Sequence, residues 1–65
     1  MNISIVVPVY KGGMFLELLA AELRKTLSSI AQEYEIIFVN DGSPDNSWEI
    51  IQSLADKYEE VKGVG

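Results

Sequence analysis

Asp41 is the residue in this 65-residue sequence best placed to do chemistry. It follows the apolar run Ile36-Ile37-Phe38-Val39 and the polar Asn40, and Gly42 and Ser43 come directly after it. An unbroken series of β-branched and aromatic residues suits a central parallel strand buried on both faces. Asp41 then stands at the carboxyl end of that strand, the edge at which open parallel sheets bind their ligands. A carboxylate there can accept hydrogen bonds from a ligand's N–H or O–H groups. It can equally accept them from nearby backbone N–H groups and close an Asx-turn. The residues alone leave both readings open. Strand alternation sends Asn40 to the other side, where a structural role is expected. Ser43 is read as a helix cap rather than a nucleophile, because the sequence has no histidine to activate it.

Pro8 and Tyr10 stand at the end of a first apolar run, Ile3 to Tyr10. The Tyr10 ring can stack on a flat ligand, with Pro8 as an apolar edge, or both can close the core. Lys11 can reach a phosphate or be simply solvated. Gly12-Gly13 can cradle a phosphate at a helix start or merely close a loop. Trp48 and Tyr58 are read as core or rim packing rather than ligand platforms.

Composition narrows the classes. Without cysteine there is no disulfide frame and no thiolate metal site. Without histidine the usual general base and the commonest metal ligand are missing. A formal charge of -5 offers no electrostatic footprint for nucleic acid and no basic patch for a membrane surface. The first residues carry no positive charge ahead of the apolar run, so no secretory signal is read. No apolar run approaches the roughly 20 residues that span a bilayer. A soluble, cytoplasmic segment is expected. There is no Gly-x-Gly-x-x-Gly after the first run, no phosphate-binding Walker loop, and no pair of acids at a strand end to hold a divalent metal.

The elements that must position these residues follow from periodicity. Ile3–Tyr10 is expected as the first strand, with Pro8 near its end because it cannot donate to a ladder. Met14–Ala31 is expected as a helix, with Phe15, Leu18, Leu19, Leu23, Leu27 and Ile30 as its apolar stripe. Its acids come early and its bases late, which suits the helix dipole. Gln32-Glu33 is the exit turn, and Tyr34–Val39 the second strand. Pro44–Tyr58 is expected as a second helix, with Ser43 as N-cap, Pro44 at the first position and Asp45 in the first turn. Trp48, Ile51, Leu54, Ala55 and Tyr58 form its stripe. Glu59-Glu60 is a solvated exit, and a third strand starts at Val61–Val64. The order β-α-β-α-(β) predicts parallel strands, right-handed crossovers and an α/β layered sheet. The sequence stops as that strand begins, so the front piece of a larger domain is expected.

Val6-Val7-Pro8-Val9-Tyr10, a helix, and then Glu35-Ile36-Ile37-Phe38-Val39-Asn40-Asp41-Gly42-Ser43 with Asp45 and Ser47 resemble the amino-terminal part of family 2 glycosyltransferases. The run Ser43 to Ile51 looks closest to the polyprenyl-phosphate sugar transferases, the dolichol-phosphate mannosyltransferase-like group. The resemblance covers essentially all 65 residues. It implies a partial GT-A, Rossmann-like fold in which residues 1–65 are the nucleotide-binding portion. It also implies inverting transfer of a sugar from a UDP- or GDP-sugar donor to an acceptor such as a polyprenyl phosphate. In that setting Pro8 and Tyr10 would contact the base, Val39 would line its pocket, and Asp41 would hydrogen-bond the base edge. No catalytic residue and no metal ligand is implied within the segment. The family's Asp-x-Asp motif, its catalytic base and its Mg²⁺ or Mn²⁺ are expected beyond Gly65, with membrane attachment through regions outside the segment. The sequence departs from the family pattern at Lys11-Gly12, where relatives carry Asn-Glu, and at Asn40, where aspartate is frequent. Two rivals remain at this stage: a Rossmann-type dinucleotide-binding enzyme and a non-catalytic α/β module.

Overall fold

The structure, a computed structural model, describes residues 2–42 and 46–65. Strand β1 spans Asn2–Val9, helix α1 Gly13–Ile30, strand β2 Glu33–Asn40, helix α2 Ser47–Lys57 and strand β3 Val61–Val64. The strands form one parallel sheet in the order β1-β2-β3. This is the expected α/β architecture, a partial Rossmann-like GT-A arrangement. The strand expected to begin at Val61 does so.

One core joins the sheet to both helices. Val9, Ile36, Phe38 and Val61 come from the strands, Leu16, Ala20 and Leu27 from α1, and Ile51 and Leu54 from α2. Ile36 and Phe38 are fully buried, while their neighbours Ile37 and Val39 are only half-buried. The expectation that β2 is buried on both faces is therefore corrected. Alternation sends Ile36 and Phe38 to the helices and Ile37 and Val39 to the other face, which no described element covers. On that face β1 contributes Ser4, Val6 and Pro8, and β3 contributes Lys62 and Val64. Val6 and Val64 are half or more exposed there.

The stripe of α1 also differs from expectation. Leu27 is buried and Leu23 partly so, as expected, but Leu16 and Ala20 complete the buried stripe, whereas Phe15, Leu18 and Ile30 are well exposed. Both sets have helical spacing, and periodicity could not choose between them. Nor does charge favour the ends of α1. Its first turn has no acid and its last turn no base, and a dipole effect fades within one turn. In α2 the ends do match, with Glu49 in the first turn and Lys57 in the last. The described start of α2 is Ser47, with Asn46 as N-cap. The cap expected at Ser43, with Pro44 and Asp45 after it, lies outside the described residues.

Trp48 and Tyr58 pack against the core, as expected. The Trp48 ring lies over the backbone of Gly63 and Gly65, at positions 3.2–3.7 Å from where a Cβ would stand. Glu60, expected as a solvated exit, is half-buried and accepts a 2.5 Å hydrogen bond from Arg24 Nε. The Arg24 guanidinium sits 3.7 Å from the centroid of the Tyr58 ring. That pair ties α1 to the turn entering β3.

Candidate functional site

The site is built where β1 and β2 end together. In the parallel register Pro8 pairs with Val39 and Val9 with Asn40. The ladder runs one step further, because the Asp41 backbone N–H donates to the Val9 carbonyl at 2.9 Å. Tyr10 and Asp41 are thus the residues that follow a registered pair, and they leave the sheet side by side. Pro8 and Val39 are direct neighbours on the sheet face away from the helices, since Val9, between Pro8 and Tyr10, is buried toward α1 and α2. All four residues singled out from the sequence gather at one edge, the carboxyl edge.

Their exposure suits contact with a ligand. Tyr10 is 60% exposed, Pro8 and Asp41 are exposed, and Val39 is half-buried between two strands. Asn40 has the parity of Phe38 and belongs to the helix side. Gly42, directly after Asp41, has a φ of +68°, in the left-handed region that glycine adopts without strain. Lys11 is also left-handed, with φ +56°, and its Nζ lies 5.5 Å from the centroid of the Tyr10 ring. Nothing in the sequence signalled that conformation, because it arises from the short link between β1 and α1.

The starts of both helices lie near this edge. A Cβ on Gly13 would come 2.8 Å from Asn46 Oδ1, so a glycine allows the beginning of α1 to meet the beginning of α2. Other charged clusters lie elsewhere. Glu35 accepts hydrogen bonds from Ser4 Oγ and Lys62 Nζ, each at 2.7 Å, and so bridges all three strands on the open face. Lys62 first, and then Ser4, hold its carboxyl below the usual range. A hollow of about 240 Å³ lined by Glu17, Ala21, Ser53 and Lys57 lies between the helices, away from the strand tips. Among the described residues no three acidic, histidine or cysteine side chains gather in a way that could hold a metal ion.

The sequence pattern of the family described as Glycosyl transferase family 2 matches residues 4–64. The chain belongs to that family. Among family 2 relatives, a dolichol-phosphate mannosyltransferase of Pyrococcus furiosus is 38% identical over 58 residues, which are 89% of this chain and 16% of the relative. An undecaprenyl-phosphate 4-deoxy-4-formamido-L-arabinose transferase of Proteus mirabilis is 39% identical over 55 residues, 85% of this chain and 17% of the relative. EpsJ, an uncharacterized glycosyltransferase of Bacillus subtilis, is 46% identical over 56 residues, 85% and 15%. The chain spans less than a fifth of the length of these curated relatives. No helix among the described residues is long and apolar enough to cross a membrane.

Proposed function

We propose that this chain forms the nucleobase seat of a glycosyltransferase that moves a sugar, with inversion, from a nucleotide-diphosphate donor to an acceptor of the polyprenyl-phosphate class. The observation that carries the reading is the joined pair of strand tips. The Asp41 N–H to Val9 carbonyl bond and the Pro8–Val39 register bring an aromatic ring, an apolar wall and one carboxylate to a single edge. Names of family 2 relatives that include dolichol-phosphate and undecaprenyl-phosphate transferases support the acceptor class. Family membership also favours this reading over a dinucleotide-binding enzyme or a non-catalytic module.

Each residue has a physical task. The Tyr10 ring offers a flat, exposed face on which a base can stack. Pro8 and Val39 supply apolar contact at its margin. The Asp41 carboxylate has only acceptors, so it selects bases that present N–H donors at the edge, as uracil and guanine do. Such contacts bind and orient the donor, and they leave the sugar's reacting carbon to groups elsewhere. The cation expected in a full-length relative, Mg²⁺ or Mn²⁺, would supply charge neutralisation of the departing diphosphate. The 65 residues alone are expected to show no sugar transfer, and measurable turnover by them would sink the assignment of the chemistry to other regions.

Asp41→Ala tests the seat. Removing a hydrogen bond to a charged acceptor costs roughly 1.5–3 kcal/mol, so UDP or GDP affinity should fall about tenfold or more. The melting temperature should barely move. If stability drops while nucleotide affinity stays level, Asp41 is a turn residue and the seat is lost. Titrating NAD in parallel separates this reading from dinucleotide binding.

A further inference from the structure

The five bases of this chain are unevenly placed. Arg24 is engaged with Glu60 at the entry to β3, and Lys62 reaches to Glu35, away from the strand tips. Lys25 is in the later half of α1 and Lys57 ends α2. Both helices run back from the carboxyl edge, so these two lie toward the opposite end of the sheet. Lys11 is the one base that the described structure places at the carboxyl edge, between Tyr10 and the start of α1.

We propose that Lys11 recognises the negative charge of the bound donor, its ammonium taking the diphosphate while Tyr10 and Asp41 take the base. This rests on the nucleotide reading above and adds a residue that discriminates by charge. A nucleoside diphosphate brings negative charge to a chain of net charge -5, and to an edge that already presents the Asp41 carboxylate. A cation at that edge lowers the repulsion between the two, in addition to any divalent metal that meets the diphosphate in a full-length relative. A lysine is suited to the task, because its flexible stem carries a compact charge with three donors to phosphate oxygens.

The backbone adds a second argument. The left-handed region is disfavoured for any residue with a Cβ, and asparagine or glycine would occupy it more easily. Lys11, at φ +56°, has its ammonium over the Tyr10 ring, 5.5 Å from the centroid, so a base that stacks on that face displaces the ammonium toward the phosphates it carries. The conformation thus keeps the charge at the edge at some expense in backbone stability, an arrangement often met at ligand sites.

The substitution Lys11→Asn removes the charge and suits the backbone, so folding and binding should move in opposite directions. Uridine, UMP and UDP, with the guanosine series beside them, would be titrated calorimetrically in EDTA at low and moderate salt. Wild type should bind more tightly as phosphates are added, and that gain should shrink with salt. Lys11→Asn should bind nucleosides like wild type, bind diphosphates roughly tenfold more weakly, and melt at the same or a higher temperature. Lys11→Arg should recover much of the loss. Unchanged diphosphate affinity in Lys11→Asn would overturn the role of Lys11 and leave the base seat standing. If wild type binds neither nucleoside nor nucleotide, the seat itself fails and Lys11 falls with it.

Discussion

Two glycines separate the kinds of constraint that act on single residues. Gly42 has φ +68° and nothing within 4 Å of a Cβ position. Gly42→Ala should therefore cost only the backbone term, about 1–2 kcal/mol. Gly63 lies in β3, where a Cβ would stand 2.5 Å from Cγ2 of the fully buried Ile51. Gly63→Ala must push α2 away from the sheet, at about 1–3 kcal/mol from overpacking. Urea melts of both variants distinguish the cases: nucleotide affinity should change with Gly42→Ala, which perturbs the turn after Asp41, and not with Gly63→Ala. The Gly42 turn was legible from the sequence, since glycine after a strand-end acid is turn chemistry. The close approach at Gly63 was not, because it depends on which face of α2 meets β3. The same limit hid Lys11, whose left-handed backbone follows from the way β1 enters α1.

At the scale of elements, the strands and α2 fell where their patterns put them, but β2 is buried on one face only and α1 kept only part of its expected stripe. An alternating or continuous β-branched run has few ways to sit in a sheet, so the strands were legible to within one residue at most ends. Helix α1 carries apolar residues on two sides, and only contact with the sheet decides which side is buried. That contact fell to Leu16, Ala20 and Leu27. Leu16→Ala should cost about 2–5 kcal/mol, a large share of what so small a chain can hold. Leu18→Ala, at a position 65% exposed, should stay within about 0.5 kcal/mol. Chemical denaturation of the two variants checks this directly. Equal losses would mean that α1 is rotated about its axis, with the stripe read from the sequence facing the core. The pairing of the strand tips would survive such a rotation, because the candidate site stands on β1 and β2 and on the turn that follows each.

The whole molecule divides its labour along the strand direction. Pro8, Tyr10, Val39 and Asp41 occupy the carboxyl edge, while Arg24 with Glu60 ties α1 to the turn before β3 at the other end. Glu35 with Ser4 and Lys62 binds the three strands together on the open face. The hydrogen bond from Arg24 holds the Glu60 carboxyl below its usual range, and Lys62 and Ser4 do the same for Glu35. A carboxyl depressed in the folded state adds stability above its unfolded value, near 4.3, and loses it as pH falls through the folded value. Between neutral pH and about pH 5 these groups contribute a constant amount. Below that range the melting temperature should decline, and Glu60→Gln should make the decline shallower while lowering stability at pH 7. The loss at pH 7 should be of order 1 kcal/mol, since Arg24 and Glu60 remain partly exposed to solvent. Nucleotide affinity at pH 7 should be unchanged in Glu60→Gln, because the pair stands at the end of the sheet remote from Asp41. A variant that lost affinity at constant fold would show that the two ends are coupled through α1, the element that starts at Gly13, just after Lys11, and carries Arg24.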